Sequence, residues 1–267
     1  IRQEEEGIMK KFERVKAVVS LDAIAHNFEE MKKYTGVVEA RNFEVFRERL
    51  AKNGMLHQAN DFFRATGAHT VLQYKEVNES LLRTRNSGGF QLLGLADFPG
   101  QGSAFVGILD AFWESKGLVT PEKFRESCAP TVLLARLPKR TFRNGEKLKA
   151  KMEIYHFGKD ALNSRKLNWT LTGEDGTVYH KGSLKTKSIQ PATVDSLGII
   201  ELPLNGMDSA RKLTLKAELG GIHNEWDVWV YPEQPKTEQH NFVYTRTWND
   251  ETKQWLNEGK NVLLIPE

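Results

Sequence analysis

Apolar residues recur at helical spacing from Asn42 onward and predict three short helices. The first ends at Asn53-Gly54, which is a turn signal. Gly67 is expected to end the second, and the third is expected over residues 71–82. The apolar positions of the three helices are, in order, Phe43, Phe46 and Leu50; Leu56, Ala59, Phe62 and Phe63; and Leu72, Val77 and Leu81.

The stretch from Gly88 to Gly102 joins an apolar run to a glycine-rich loop. Residues 90–95 are almost continuously apolar, which predicts a parallel strand covered on both faces. Asp97 follows this strand at its C-terminal end, where α/β barrels place their chemistry. The alternative is an ordinary connection in which Asp97 caps backbone amides.

Two helices are expected after this loop. Phe105, Leu109, Phe112 and Trp113 are predicted to share one face of the first. The second is short, with Thr120 as its N-cap and Pro121 in its first position. Residues 42–128 therefore alternate between helix and strand and indicate α/β structure.

After Pro130 the apolar residues alternate with polar ones, as in half-buried strands. Short strands follow at regular spacing, and Glu174-Asp175-Gly176 is a hairpin signal. This pattern predicts an antiparallel, immunoglobulin-like β-sandwich of roughly seven strands over residues 131–232. Beyond Pro235, a strand, a short helix and a second strand indicate the start of a further α/β unit. The predicted regions are thus 1–130, 131–232 and 233–267.

Composition excludes several classes of protein. The 38 basic and 35 acidic residues give a formal charge of +3. The sequence lacks a basic stripe interleaved with aromatic residues, so nucleic acid is not expected as a partner. No apolar run reaches the roughly 18–20 residues that span a bilayer, so no membrane partner is expected. Cys128 is the only cysteine, which rules out an intrachain disulfide and a cysteine zinc cage.

Other chemistry-bearing residues form no established motif. The seven histidines show no metal-ligand spacing, so no metal and no cofactor are expected. Glu76 and Glu79 stand at i, i+3 and could pair, although a solvated helix face is the simpler interpretation. Trp169, Trp226 and Trp229 could stack on sugar rings, but their alternation along strands favours the sandwich core for at least two of them.

Three segments together resemble glycoside hydrolase family 2, which includes β-galactosidases and β-glucuronidases. They are Gly88-Gly-Phe-Gln-Leu-Leu-Gly-Leu-Ala-Asp-Phe-Pro-Gly-Gln-Gly102, Leu109-Asp-Ala-Phe-Trp-Glu-Ser-Lys-Gly117, and Asp227-Val-Trp-Val-Tyr-Pro232. The resemblance extends over about residues 28–232. It implies a fold of mixed α/β and all-β type, with the C-terminal segment of a (β/α)8 barrel in residues 1–130 and the sandwich after it.

The resemblance also implies residue roles. Asp97, Phe98 and Gln101 would line the sugar site at the end of the eighth barrel strand, although Leu93 replaces a tryptophan common in the family. Retaining glycosidases need two carboxyl groups about 5–5.5 Å apart, and the family glutamates that supply them have no counterpart here. Asp22 is the one weak candidate for the nucleophile.

We therefore expect a segment of an enzyme acting on β-glycosides that is not catalytic alone. The alternative is a non-catalytic carbohydrate-binding or protein-interaction module. Because the chain begins with Ile1, we expect it to belong to a longer product. By resemblance its parent would be periplasmic or secreted; the oligomeric state stays open.

Overall fold

The computed structural model describes residues 28–84, 89–98, 105–163, 166–233 and 242–266. In the first of these ranges, 3-10 helices at Phe28–Lys33 and Leu56–Gln58 flank helix α1, Arg41–Lys52. Helix α2 then runs without interruption over Ala59–Leu82, and the short helix α3 spans Pro121–Arg125. No helix in these ranges has both the length and the apolar content that a bilayer crossing requires.

The described residues contain ten strands, which form three sheets. One sheet has the order β1-β3-β6, a second the order β2-β8-β7-β4-β5, and a third the order β10-β9. The strands are β1 Thr131–Arg136, β2 Thr141–Arg143, β3 Lys147–His156, β4 Lys166–Gly173, β5 Val178–Lys185, β6 Thr193–Pro203, β7 Arg211–Leu219, β8 Ile222–Tyr231, β9 Phe242–Thr245 and β10 Asn261–Leu264. Helix α4, Asp250–Asn257, connects the parallel strands β9 and β10.

Alternating apolar residues of the first two sheets share one core. Leu133, Met152 and Ile200 come from one sheet, and Leu171 and Trp226 from the other. All five are at most 1% exposed. Most of these strands bury one face against the opposite sheet, as their period-2 pattern indicates. Strand β2 pairs with β8 in parallel, however, so the body is not the antiparallel, immunoglobulin-like sandwich that the sequence predicts.

The predicted (β/α)8-barrel segment is wrong, because the described chain is mainly β-sheet and shows no barrel. Along the strand expected at 90–97, only Ala96 forms a β-bridge, to Leu109. Gly94 adopts φ 87°, a left-handed conformation that interrupts the extended path. None of residues 90–95 is buried, and Leu93 is 92% exposed, so the prediction of a strand covered on both faces is wrong. An apolar run forms a strand only where a neighbouring strand pairs with it.

The helices of this region also differ from their prediction. The helix expected to contain Phe105–Trp113 is absent, because Asp110 Oδ1 accepts the N–H groups of Phe112 and Glu114 and closes a turn instead. Gly67 does not end a helix but lies inside α2, where an added Cβ would overlap the Leu118 side chain. The N-cap prediction is confirmed, since the Thr120 side chain accepts the N–H of Lys123.

Helix α2 is joined to the two-sheet body through the buried carboxylate of Glu79. Asn224 Nδ2 donates to Glu79 Oε1 at 2.9 Å, and Trp226 Nε1 donates to Oε2 at 2.9 Å. Lys75 Nζ lies 2.7 Å from Oε1 and Arg83 Nη1 lies 3.4 Å from Oε2. Glu79 is 0% exposed, so the solvated face favoured for it from the sequence is wrong.

Candidate functional site

The residues that follow Gly94 form a strap, which we define as residues 95–98 and 105–117. Asp97 N–H donates to Leu109 O at 3.1 Å, and Leu109 N–H donates to Leu95 O at 3.0 Å. Gly107 lies under this crossing, where an added Cβ would come within 2.6 Å of the backbone of Ala96 and Asp97. Position 107 therefore requires glycine because the backbone of residues 96 and 97 passes so close to it, and not because of its φ angle.

Asp97 lies inside the strap and is 5% exposed. Its Oδ1 accepts the N–H of Gly107 at 2.8 Å, and its Oδ2 lies 2.6 Å from Lys116 Nζ, whose side chain is 1% exposed. The alternative in which Asp97 caps a backbone amide is thus confirmed. Burial raises the pKa of Asp97, and the Lys116 ammonium and the Gly107 amide partly counteract that rise.

Glu30, from the first 3-10 helix, adds a second buried carboxyl group. It is 5% exposed. Burial raises the pKa of Glu30 to about 7; Lys116 opposes the rise, whereas Asp110 and Asp97 add to it. We call Glu30, Asp97, Asp110 and Lys116 the Asp97 cluster.

Asp110 is also buried, at 2% exposure, and it connects the cluster to the surface because it begins the Asp110 turn, residues 110–114. Its Oδ1 accepts two backbone N–H groups at 2.9 Å, and its Oδ2 lies 2.6 Å from Lys33 Nζ. These bonds to the ionised form, chiefly the one from Lys33, outweigh the effect of burial and lower the pKa of Asp110. Lys33 Nζ also lies 2.5 Å from Glu114 Oε2, so the turn is tied at both ends.

The Asp110 turn presents two aromatic rings. Trp113 is 70% exposed and has φ 64°, a left-handed backbone conformation that is uncommon for a bulky residue. Phe112 is 41% exposed, and its ring meets Tyr34 edge to face with centroids 5.0 Å apart. A strained backbone conformation persists only where the surrounding structure holds it in place. Residues in such conformations are frequent at functional sites.

The predicted site residues are placed as follows. Asp97 is buried with its carboxylate engaged, while Phe98 is 61% exposed beside it. Gln101 and Asp22 lie outside the described residues. The substrate-binding roles assigned to Asp97, Phe98 and Gln101 stay predictions.

Sequence reasoning missed Glu30, Lys116 and the presentation of Trp113. One signal was available: the Asp110 side chain can accept nearby backbone N–H groups, and an Asp in this role favours a local turn over a helix. The burial of Glu30 and Lys116 had no local signal, because it depends on contacts between segments distant in sequence.

The described residues hold no group of three His, Cys, Asp or Glu side chains arranged for a metal ion. Burial also raises the pKa of the Cys128 thiol, which disfavours the nucleophilic thiolate. Of the three candidate tryptophans, Trp226 is in the core, Trp169 packs against the core, and Trp229 is 37% exposed.

Comparisons with known proteins give one family match, to a domain of unknown function, DUF8488, over residues 146–232. That range lies within the two-sheet body and covers less than half of the chain. No curated protein matches.

Solved structures with similar regions include the sporulation control protein Spo0M of Bacillus subtilis, at 17% identity and TM-score 0.31. The match covers 40% of this chain and 51% of that one, so the chain spans about half the length of this neighbour. A CARDB domain from Pyrococcus furiosus matches at 12% identity and TM-score 0.29, over 39% of this chain and 94% of that one. An α2-macroglobulin mutant from Salmonella matches at 14% identity and TM-score 0.33, over 43% and 7%.

Likenesses at this level say nothing about the activity of this chain. The predominance of β-sheet overturns the assignment of the chain as a TIM-barrel glycoside hydrolase.

Proposed function

We propose that this chain is a non-catalytic carbohydrate-binding module. The observation that carries the proposal is the ring of Trp113, which is 70% exposed on a turn tied by Asp110 and Lys33. A rigid aromatic ring offers a large apolar face at a small cost in conformational entropy. The C–H face of a pyranose ring is complementary to such a surface.

Polar groups beside the ring support a sugar as the ligand. Glu114, 65% exposed at its side chain, and Lys33, 36% exposed, stand at the base of the same turn. Binding sites of this kind combine an apolar surface with a few charged or polar groups that orient the ligand.

The buried carboxyl groups argue for binding without hydrolysis. A retaining glycosidase needs two carboxyl groups that flank the glycosidic bond. Asp97 instead holds Lys116 and the Gly107 amide, and both Asp97 and Glu30 are 5% exposed. A sugar on the surface would reach neither of them.

The test is a titration with a panel of β-linked disaccharides, in which binding is measured by calorimetry and by tryptophan fluorescence. We expect Trp113→Ala to weaken binding at least tenfold. Trp229→Ala is the matched control, because Trp229 is also partly exposed, at 37%, but lies on β8. Absence of binding across the panel, or an equal loss in both variants, would overturn the proposal.

A second measurement addresses the absence of catalysis. We expect no hydrolysis of aryl β-glycosides by this chain. Hydrolysis that Asp22→Ala abolishes would contradict a non-catalytic role and would restore Asp22 as a nucleophile.

A further inference from the structure

Strands β4 and β5 lie at one end of the five-stranded sheet and carry no acidic residue. β5 is the edge strand, and β4 pairs with β5 on one side and with β7 on the other. Their sequences, KLNWTLTG and VYHKGSLK, hold three lysines and neither Asp nor Glu. The whole chain is nearly balanced, with 38 basic and 35 acidic residues. Positive charge is therefore in local excess on these two strands.

The three lysines lie on the outer face of the sheet. Leu167 is buried in the core, and Leu184 packs against the core. Because side chains alternate across a strand, those of Lys166 and Lys185 leave the sheet on the other face. Lys181 shares this face with Lys185, about 14 Å away along the strand, and all three lysines are exposed. We call this surface the β4–β5 face; it consists of Lys166, Asn168, Thr170, Lys181, Ser183 and Lys185.

The charges of this face have no counter-charge among the described residues. Lys166 is the cross-strand partner of Lys185, and like charges directly opposite each other destabilise a sheet. No described residue forms an ion pair with Lys166, Lys181 or Lys185. Glu218, on the neighbouring strand β7, instead accepts the N–H of Gly221 at 2.9 Å.

A similar row of lysines on the other sheet is compensated within the chain. Lys147, Lys149 and Lys151 alternate along β3. The Nζ atoms of the first two lie 3.4 and 3.9 Å from the carboxylate of Glu201, and that of Lys151 lies 3.0 Å from Glu153. The β4–β5 face has the same number of lysines without such carboxylates, so its counter-charge comes from solvent ions or from a ligand.

Protection of the sheet edge does not explain the arrangement. Lysine on an edge strand discourages pairing with another chain, which would account for Lys181 and Lys185. Lys166, however, lies on β4, which is paired on both sides, and it faces Lys185. An anion bound between two such ammonium groups would replace their repulsion by attraction.

We propose that the β4–β5 face binds a linear acidic polysaccharide, whose carboxylates contact Lys166, Lys181 and Lys185. Ser183 and Asn168, an exposed cross-strand pair between the lysines, offer a hydroxyl and an amide to the sugar hydroxyls.

The composition of the face favours a sugar polymer over other polyanions. The aromatic residues Trp169 and Tyr179 of these strands pack against the core, so no ring is presented on which bases could stack. The face also contains no apolar side chain that would insert into a lipid surface. This inference does not rest on the proposed function, because it uses no side chain of the Asp110 turn.

The experiment measures calorimetric binding of a β-1,4-linked oligomannuronate. The full chain carries Trp113→Ala, so that a sugar bound at the Asp110 turn does not contribute. We expect saturable binding that weakens about tenfold between about 50 and 200 mM salt, because ions on both partners are released. The matched ligand is a neutral β-1,4-linked oligomannoside of the same length, which lacks the carboxylates and should not bind. Failure to bind the oligomannuronate, or equal binding of the neutral ligand, would overturn the proposal. The disaccharide titration of the Asp110 turn does not depend on this outcome, so the two proposals stand or fall separately.

Two triple variants locate the site. One removes the charges of the face and should bind the oligomannuronate at least tenfold more weakly; it combines Lys166→Gln, Lys181→Gln and Lys185→Gln. The control removes the same charge from β3 and should bind as before; it combines Lys147→Gln, Lys149→Gln and Lys151→Gln. An equal loss in both variants would show attraction to net charge alone and would refute the site. Tighter binding of single-stranded DNA, or of phosphatidylserine vesicles, through the same lysines would overturn a polysaccharide as the ligand.

A single substitution tests the repulsion without any ligand. Lys166→Glu turns the opposed like charges into an ion pair with Lys185 and should raise the melting temperature. The same variant should bind the oligomannuronate at least tenfold more weakly. An unchanged or lower melting temperature would refute the repulsion on which the site is argued.

Discussion

Replacing Glu30 by Gln tests the electrostatics of the Asp97 cluster most directly. The pKa of Glu30 rises from its ordinary value of 4.5 to about 7 because the carboxyl is buried, and the groups facing it are Lys116, Asp110, Asp97 and Lys33. At a pH between 4.5 and about 7, the folded chain keeps a proton on Glu30 that the unfolded chain has released. The free energy of unfolding therefore falls as the pH rises through this window.

The magnitude follows from the two pKa values. At 1.36 kcal/mol for each pH unit, a rise from 4.5 to about 7 corresponds to about 3 kcal/mol. This stability is present below pH 4.5 and is lost by about pH 7.5. Glu30→Gln carries no titrating proton at this position, so the variant should lose this part of the pH dependence and should gain relative to the wild type as the pH rises.

The assay is urea unfolding followed by near-ultraviolet circular dichroism at pH 5, 6, 7 and 8. The stability difference between wild type and Glu30→Gln should change by about 2–3 kcal/mol over this range. Glu29→Gln is the control, because the Glu29 side chain is 70% exposed on the same 3-10 helix, and it should keep the wild-type pH dependence. Parallel curves for wild type and Glu30→Gln would refute the burial argument.

Two further substitutions test the packing. Glu79→Ala should lower the free energy of unfolding in urea by about 3–5 kcal/mol, because Lys75 and the N–H groups of Asn224 and Trp226 would lose a buried partner. A loss under about 1 kcal/mol would show that the carboxylate is dispensable. Gly107→Ala should lower the stability by about 1–3 kcal/mol, because backbone atoms lie 2.6 Å from the added Cβ. Gly36→Ala is the control and should be near neutral, because nothing lies within 4 Å of its added Cβ. Equal melting temperatures for the two glycine variants would contradict the close approach.

The sequence predicted those parts of the fold that depend on local periodicity. The alternation around Leu148–Ile154 became β3, the spacing of Phe43 and Phe46 became α1, and Thr120 capped α3 as expected. In each case the burial of one face or a bond within four residues decides the structure, so a short window of sequence contains the cause.

The helix expected over Phe105–Trp113 is lost to a local turn at Asp110, whereas the other failures depend on contacts between segments distant in sequence. Residues 90–95 are apolar enough for a strand, but the described chain places no pairing strand beside them. Gly67 looked like a helix end, yet Leu118, 51 positions further along, occupies the space that a side chain would need. The two glutamates 76 and 79 are indistinguishable in sequence, and only the position of Asn224 and Trp226 buries the second.

The carboxylate of Glu79 bears on where an independently folding unit begins. A fragment cut at Thr131, the boundary that the change of period suggests, would keep Asn224 and Trp226 but remove the acceptor for their N–H groups. The autonomous unit should therefore start upstream of Lys75 and include the second half of α2. For this chain, a domain boundary drawn at the change of hydrophobic period would cut through a hydrogen-bond network, so shortened versions should begin before Lys75.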